Sequence, residues 1–339
     1  MTAKKLFLTL ELALVCFLTG CNHVSGLDEQ LIVYGLGVDK NDGEYEVTVQ
    51  ALNAQNTEDS NSNSSKKNVT TVSAKGETLL DAVKQIENQS GKKILYSHAM
   101  VLILSEDLAK SGVWETLRFF STNHKLRPTV EVIISGAPAK EILSSEHKFN
   151  AEDILATTRV GQEKDDGINS QIRYILGDLN SPSKSAKAWY LDYKNEEISC
   201  QKMVAFKDDK LKIVLDEDAT KGALLLLGKA KNISDSVEIY GQKVFFELNK
   251  VKSNVKVESQ NDSPIFDICL KVDLSLYNTD GKGSSKSVKN AINERLSELA
   301  SKAITVCLEE NNCDVFKLCR LAASENLKFV GYDISAKFQ

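Results

Sequence analysis

The chain has 339 residues, 42 basic against 47 acidic, for a formal net charge of −5. That mildly acidic balance argues against a nucleic-acid partner, for which a basic domain is expected. The length accommodates two or three domains of about 100 to 200 residues each, and beyond the N-terminus no apolar run approaches the roughly 20 residues a spanning helix needs.

The first informative stretch is the N-terminus. Lys4 and Lys5 precede an apolar run from Leu6 to Leu18, and Leu18-Thr19-Gly20-Cys21 follows. Positive residues, a short apolar segment and a small-residue cleavage site ending on cysteine read as a lipoprotein signal, residues 1–20. Cleavage between Gly20 and Cys21 would leave Cys21 as a lipidated N-terminus. Each buried acyl methylene contributes about 0.8 kcal/mol, so two or three chains anchor a soluble body durably. An ordinary secretory signal with an incidental cysteine, or a short transmembrane helix, are the alternatives. The run is too short to span, and Glu11 within it suits neither.

Leu31 to Val38, with Gly35 and Gly37, predicts a buried strand with a close backbone neighbour. Asp42-Gly43 supplies a hairpin turn, and Tyr45, Val47, Val49 and Ala51 alternate with polar residues as a second strand. Residues 55–68 hold nothing able to enter a core and read as a mobile loop. Val69 to Ala74 is a further strand. Leu79, Val83 and Ile86 mark a helix ending near Gly91, and Met100 to Leu104 is an apolar strand. Ser105 can cap the helix after it, with Glu106 and Asp107 in its first turn.

A helix over 113–120, a strand through Val130, Val132 and Ile134, and a helix opened by Pro138 and running to Leu143 follow. Residues 151–180 read as weakly amphipathic helices around a polar break at 163–170, and 181–185 as a linker. Beyond it, Ile198 to Phe206 and Leu211 to Leu215 alternate around Asp208-Asp209, and a helix over 219–227 ends at Gly228. Val244 to Val257 predicts a long strand with a bulge between Leu248 and Val251. Phe266 to Leu276 gives six clean alternations, and Ser287 to Leu308 a long helix with Ile292, Leu296, Leu299, Ala303 and Cys307 on one stripe. The pattern is α+β, without strict strand-helix alternation.

Signals of chemistry are sparse. His23, His98, His124 and His147 have no partner at metal-ligating or catalytic spacing, and no zinc-protease, nucleophile-elbow or phosphate-loop pattern occurs. Gly281 to Lys286 resembles a phosphate loop only superficially and reads as a turn. The acidic pairs Asp165-Asp166, Asp208-Asp209 and Glu309-Glu310 read as solvated surface. With Cys16 lost and Cys21 acylated, Cys200, Cys269, Cys307, Cys313 and Cys319 remain, an odd number that excludes a fully paired framework. They are expected as small buried apolar residues, and free thiols outside the cytoplasm suggest a non-oxidising setting. The six-residue spacing of the last three fits neither a zinc knuckle nor one helix face. The expectation is a non-enzyme with no cofactor and no metal.

The lipobox, Leu27-Asp28 through Leu36-Gly37-Val38-Asp39, Tyr96-Ser97-His98, Leu104 to Gly112, Ala139 to Leu143, Val204 to Leu211 and Cys313 to Phe316, in that order and spacing, resemble the Ger(x)C family, the lipoprotein C subunits of spore germinant receptors. Thr122-Asn123 departs from the family's Arg-Asp pair, and Lys317 stands where a glycine is common. The resemblance implies three α+β domains in an elongated arrangement and a non-enzymatic subunit on the outer face of the spore inner membrane. It also implies A-type and B-type receptor subunits as partners. On the residues, the expected division is 22–185 and 195–339, the latter closing with the long helix, with room for a small middle domain before it. The alternative is a solute-binding lipoprotein of a transporter.

Overall fold

The computed structural model describes residues 29–52, 69–123, 126–144, 149–158, 168–260, 263–277, 286–324 and 331–338. Gly20, Cys21 and the leader, the 55–68 loop, His23, His124, His147, Asp165-Asp166, most of the 163–170 break and the turn at 281–285 lie outside them.

The chain begins as the alternation dictates. Strands β1 (Gln30–Asn41) and β2 (Glu44–Leu52) form an antiparallel hairpin in which Val38 faces Val47. Its turn places both Asp42 and Gly43 at positive φ, 51° and 87°, the two-residue geometry that Asp-Gly favours. Strand β3 (Val69–Gly76) pairs outside β2. Helix α1 (Leu79–Ser90) follows, capped by Thr78, whose hydroxyl accepts the Asp81 N–H, and ends at Gly91 with φ 64°. Short β4 (Lys93–Leu95) pairs with the start of β1.

Strands β5 (Val101–Ser105) and β6 (Glu131–Ser135) are buried throughout, which is why they lack alternation. They lie parallel to β1 and to each other. Helices α2 (Glu106–Ser111) and α3 (Trp114–Asn123) cross from β5 to β6, and α4 (Ala139–Ser144), α5 (Ala151–Thr157) and α6 (Ile172–Leu179) lead on from β6. Strand β7 (Ser185–Lys194) continues the parallel set beside β6, and β8 (Glu197–Lys207) and β9 (Lys210–Val214) close the sheet antiparallel. The nine-stranded sheet therefore has a parallel centre between antiparallel ends, and strand-helix alternation does occur locally through β5, β6 and β7. The segment expected as a linker is a tight turn, with Lys184 at φ 45°, and its last residue, Ser185, opens β7.

After β9, α7 (Glu217–Leu226) leads to a four-stranded sheet of β10 (Ile233–Ile239), β11 (Gln242–Gln260), β12 (Ser263–Tyr277) and β13 (Gly331–Phe338). The β11–β12 register shifts between Leu248 and Lys250, where the phase change in the sequence places a bulge. Helix α8 (Lys286–Ile304) lies along this sheet on Val288, Ile292, Leu296, Leu299 and Ala303, and passes into a wider π turn over Thr305–Glu310. Helix α9 (Leu318–Ser324) precedes β13, which is parallel to β12.

The period-2 rule divides the large sheet's side chains between two cores. Leu102, Leu104, Val132, Ile134 and Phe206 pack with α1, α3 and α6 on one face. Val101, Ile103, Ile133, Trp189 and Met203 face the other way, and their core is continuous with that of α7, α8 and the second sheet. The architecture is α+β with one mixed and one largely antiparallel sheet, multi-domain in sequence but joined by shared apolar packing.

Candidate functional site

Strand ends and helix starts meet at the carboxyl edge of the parallel strands, where α/β sheets usually hold their ligands. Asp39 at the end of β1 is 2 % exposed. Its two carboxylate oxygens accept the Ala139 and Lys140 N–H groups at 2.7 and 2.9 Å, capping α4 from a residue one hundred positions away. Burial pushes its pKa up, against the opposing bonds from those amides and the Ser105 hydroxyl. Ser105 also caps α2 through the Leu108 N–H at 3.4 Å. Glu106 accepts the Tyr190 hydroxyl of β7 at 2.7 Å and pairs with Lys110. Gly136 carries no side chain because the Tyr190 hydroxyl occupies the space. Asp39, Ser105, Glu106, Gly136 and Pro138 thus line a small cleft of about 170 Å³. Each of its acidic oxygens named here is engaged with an amide, a hydroxyl or an ammonium, so the arrangement positions helices.

The same device recurs twice. Asp209, read from sequence as solvated surface, instead accepts the Trp114 N–H at 3.3 Å, and its backbone carbonyl takes the Val113 N–H at 2.9 Å, so it starts α3. Asp314, 2 % exposed, receives the Leu318 and Cys319 N–H groups at 2.9 and 2.8 Å and donates its own N–H to Ser185 at the start of β7. Lys317, where the resembled family has glycine, sits at φ 66°, a conformation glycine adopts freely. Its ammonium reaches Asp178 at 3.0 Å, beside buried Lys187 at 3.6 Å from the same carboxylate. Segments singled out by resemblance, 36–39 with 139–143 and 104–112 with 204–211, are therefore brought together in pairs. Gln50 performs a related task inside the molecule, donating to the Leu143 and Phe149 carbonyls and accepting the Ala151 N–H at 2.9 Å. No motif marks Gln50 or Lys187 in the sequence: Gln50 stands at the polar phase of the Tyr45 to Ala51 alternation and reads as solvent-facing, and nothing distinguishes Lys187 from a surface lysine.

The five cysteines from Cys200 onward are free, and Cys200, Cys307 and Cys313 are buried. Burial raises the Cys307 and Cys313 thiols to about 12 and about 11, so they remain protonated and unreactive at neutral pH. His98 stacks on Tyr34, with ring centroids 6.3 Å apart. Among the described residues no group of three His, Cys, Asp or Glu side chains is placed to hold a metal ion, and no helix is long and apolar enough to cross a membrane. A second, larger cavity opens between the two sheets, floored by Trp189, Ile198 and Leu224.

A mixed-sheet α+β body, with helices capped by Asp39, Asp209 and Asp314, defines a structural class whose organised residues hold architecture together. Comparison gives that class a family. The family model described as "Spore germination protein N-terminal domain" matches residues 25–191, and "Spore germination B3/ GerAC like, C-terminal" matches 201–331; their boundary falls in the β7–β8 hairpin. The chain belongs to this Ger(x)C family of spore germination proteins. Among curated relatives, Bacillus subtilis (strain 168) Spore germination protein B3 is 23 % identical over 296 residues, covering 85 % of this chain and 78 % of its own. The putative spore germination protein YfkR of the same strain is 24 % identical over 257 residues, covering 72 % and 67 %. The crystal structure of the GerBC protein superposes with a TM-score of 0.57 at 19 % identity, over 90 % of this chain and 96 % of that one, a likeness of fold.

Proposed function

We propose that this chain is a lipid-anchored subunit of a spore germinant receptor. The observation that carries the reading is the match of both family halves across residues 25–331, directly downstream of Leu18-Thr19-Gly20-Cys21. In this reading Cys21 carries the lipid after cleavage behind Gly20. The chain then sits on the outer face of the spore inner membrane and works with an A-type and a multipass B-type subunit. Its contribution is non-enzymatic: helices capped by Asp39, Asp209 and Asp314 make a rigid body that holds partner-facing surfaces at a fixed distance from the bilayer.

The test is to tag the C-terminus, solubilise dormant-spore inner membranes in mild detergent and identify what co-purifies. Recovery of A-type and B-type subunits is the expected result. Recovery of a permease and an ATPase would favour a solute-binding lipoprotein. Cys21→Ala should abolish acyl labelling and release the protein from membranes; unchanged labelling and retention would overturn the anchor.

A further inference from the structure

Where the second sheet leans on the first, the walls do not close. Trp189 of β7, Ile198 and Cys200 of β8, Leu224 of α7 and Ile233 of β10 line a cavity of about 440 Å³. Small-molecule sites occupy roughly 300 to 1,000 Å³, mostly apolar with a few polar groups at fixed positions. The walls come from both sides of the layer boundary, so the space is a feature of how the two sheets meet.

The polar groups around it are largely committed to the protein. The Thr220 hydroxyl accepts the Met203 N–H at 3.2 Å, and the Thr157 and Thr158 hydroxyls donate to the Ile154 and Leu155 carbonyls at 2.7 and 2.8 Å. The Lys221 ammonium is held between Glu217 at 3.1 Å and Asp235 at 3.7 Å. A ligand carrying net charge would shed water here and find Lys221 already neutralised, an unfavourable exchange. Burial keeps the Cys200 thiol protonated, so it is a soft apolar wall atom. Gln201 and Ser234 stand exposed at the mouth, where a polar head can stay hydrated or accept their hydrogen bonds.

We propose that this cavity binds a small molecule of zero net charge, uncharged or zwitterionic. Its apolar body, the size of a branched-aliphatic or aromatic side chain, rests against Trp189 and Leu224, with its polar head toward Gln201 and Ser234. The inference goes beyond the receptor role and stands on this chain alone.

The chain has two tryptophans, so Trp114→Phe leaves Trp189 as the reporter. Purified residues 22–339, which retain every described residue, are titrated with L-leucine, L-phenylalanine and benzyl alcohol, and with L-lysine and L-glutamate as charged counterparts. The expected result is a saturable change in Trp189 emission and a rise in Tm with at least one apolar probe, at least fivefold weaker with the charged ones. Cys200→Phe on β8 should fill the cavity and remove the response. Should that variant fail to fold by circular dichroism, Ser234→Phe approaches the same space from the exposed rim of β10. No saturable response to any apolar probe, a response unchanged in the folded filled variant, or a preference for L-lysine or L-glutamate would overturn the site. Co-purification of receptor subunits is a separate readout, so failure of either proposal is visible without the other.

Discussion

Lys187 and Asp178 illustrate how much a single residue depends on what its partner has elsewhere. The Lys187 ammonium is 6 % exposed and its pKa is pushed down, foremost by burial. Asp178 has a second cation in Lys317. Removing one member of a buried pair is costly mainly when the other is left as an unpaired charge. Lys187→Met, similar in volume, should therefore cost under about 1 kcal/mol, because Asp178 keeps Lys317, whereas Asp178→Ala should cost about 3 kcal/mol. Urea denaturation of the two variants decides it; equal losses would refute the asymmetry. At the protein surface, Asp216 caps α7 through the Ala219 N–H. The little burial it has acts upward on its pKa, but Lys302 and that N–H hold it below the ordinary 3.8. A lowered carboxylate pKa means stability that is present above 3.8 and lost as pH falls through the lowered value. Asp216→Asn should consequently lower Tm at neutral pH by an amount that shrinks on acidification below 3.8. A difference constant with pH would mean that its charge is irrelevant.

Among the elements, two helical glycines make opposite predictions. A Cβ at Gly222 would run into the Leu299 carbonyl of α8, so α7 and α8 approach at backbone distance only because this position is bare. Gly222→Ala should force the helices apart and cost about 1 to 3 kcal/mol. At Gly177 in α6 a Cβ meets nothing within 4 Å. Gly177→Ala should stabilise by about 0.5 to 1 kcal/mol by reducing unfolded-chain entropy. Chemical denaturation giving both the same sign would dismiss the packing explanation. The elements also show where local reading succeeds. Strand β12 buries one face against a core, and the alternation of Phe266 to Leu276 records it, whereas in β2 the polar phase expected to face water is buried as well, Thr48 and Gln50 being fully enclosed. Strand β7 escapes because Ala186 to Leu191 is buried on both faces and places Lys187 in the run, so neither alternation nor an unbroken apolar stretch remains. Strand β10, Ile-Ser-Asp-Ser-Val-Glu-Ile, is a sheet edge with a single buried side chain, Val237, too little to set a period.

For the whole molecule, the decisive feature is that one face of the nine-stranded sheet is covered over β7 and β8 only in part by its own helix α5. Trp189, Met203, Ala205 and Leu215 are buried in a core completed by α7, α8 and the second sheet. Ending the chain at residue 215 should leave those side chains in water, and the fragment should bind a hydrophobic dye strongly and aggregate. A monomeric fragment with native-like chemical shifts would show that the two parts are independently stable.

The sequence by itself determined the α+β class, the hairpin turn at Asp42-Gly43, the cap at Ser105, the bulge after Leu248 and the resemblance on which the family rests. All of these are written in a few neighbouring residues, through side-chain period, backbone preference or motif order. The tertiary structure decided the parallel order β1, β5, β6 and β7, the role of Asp39 as cap for a helix 100 residues away, the bond from the Asp314 N–H to Ser185, 129 residues away, and the cavity between the sheets. The physical reason is that these depend on which distant backbones come within hydrogen-bonding reach. A buried aspartate carries the same letter as a solvated one until the amides that stabilise it arrive.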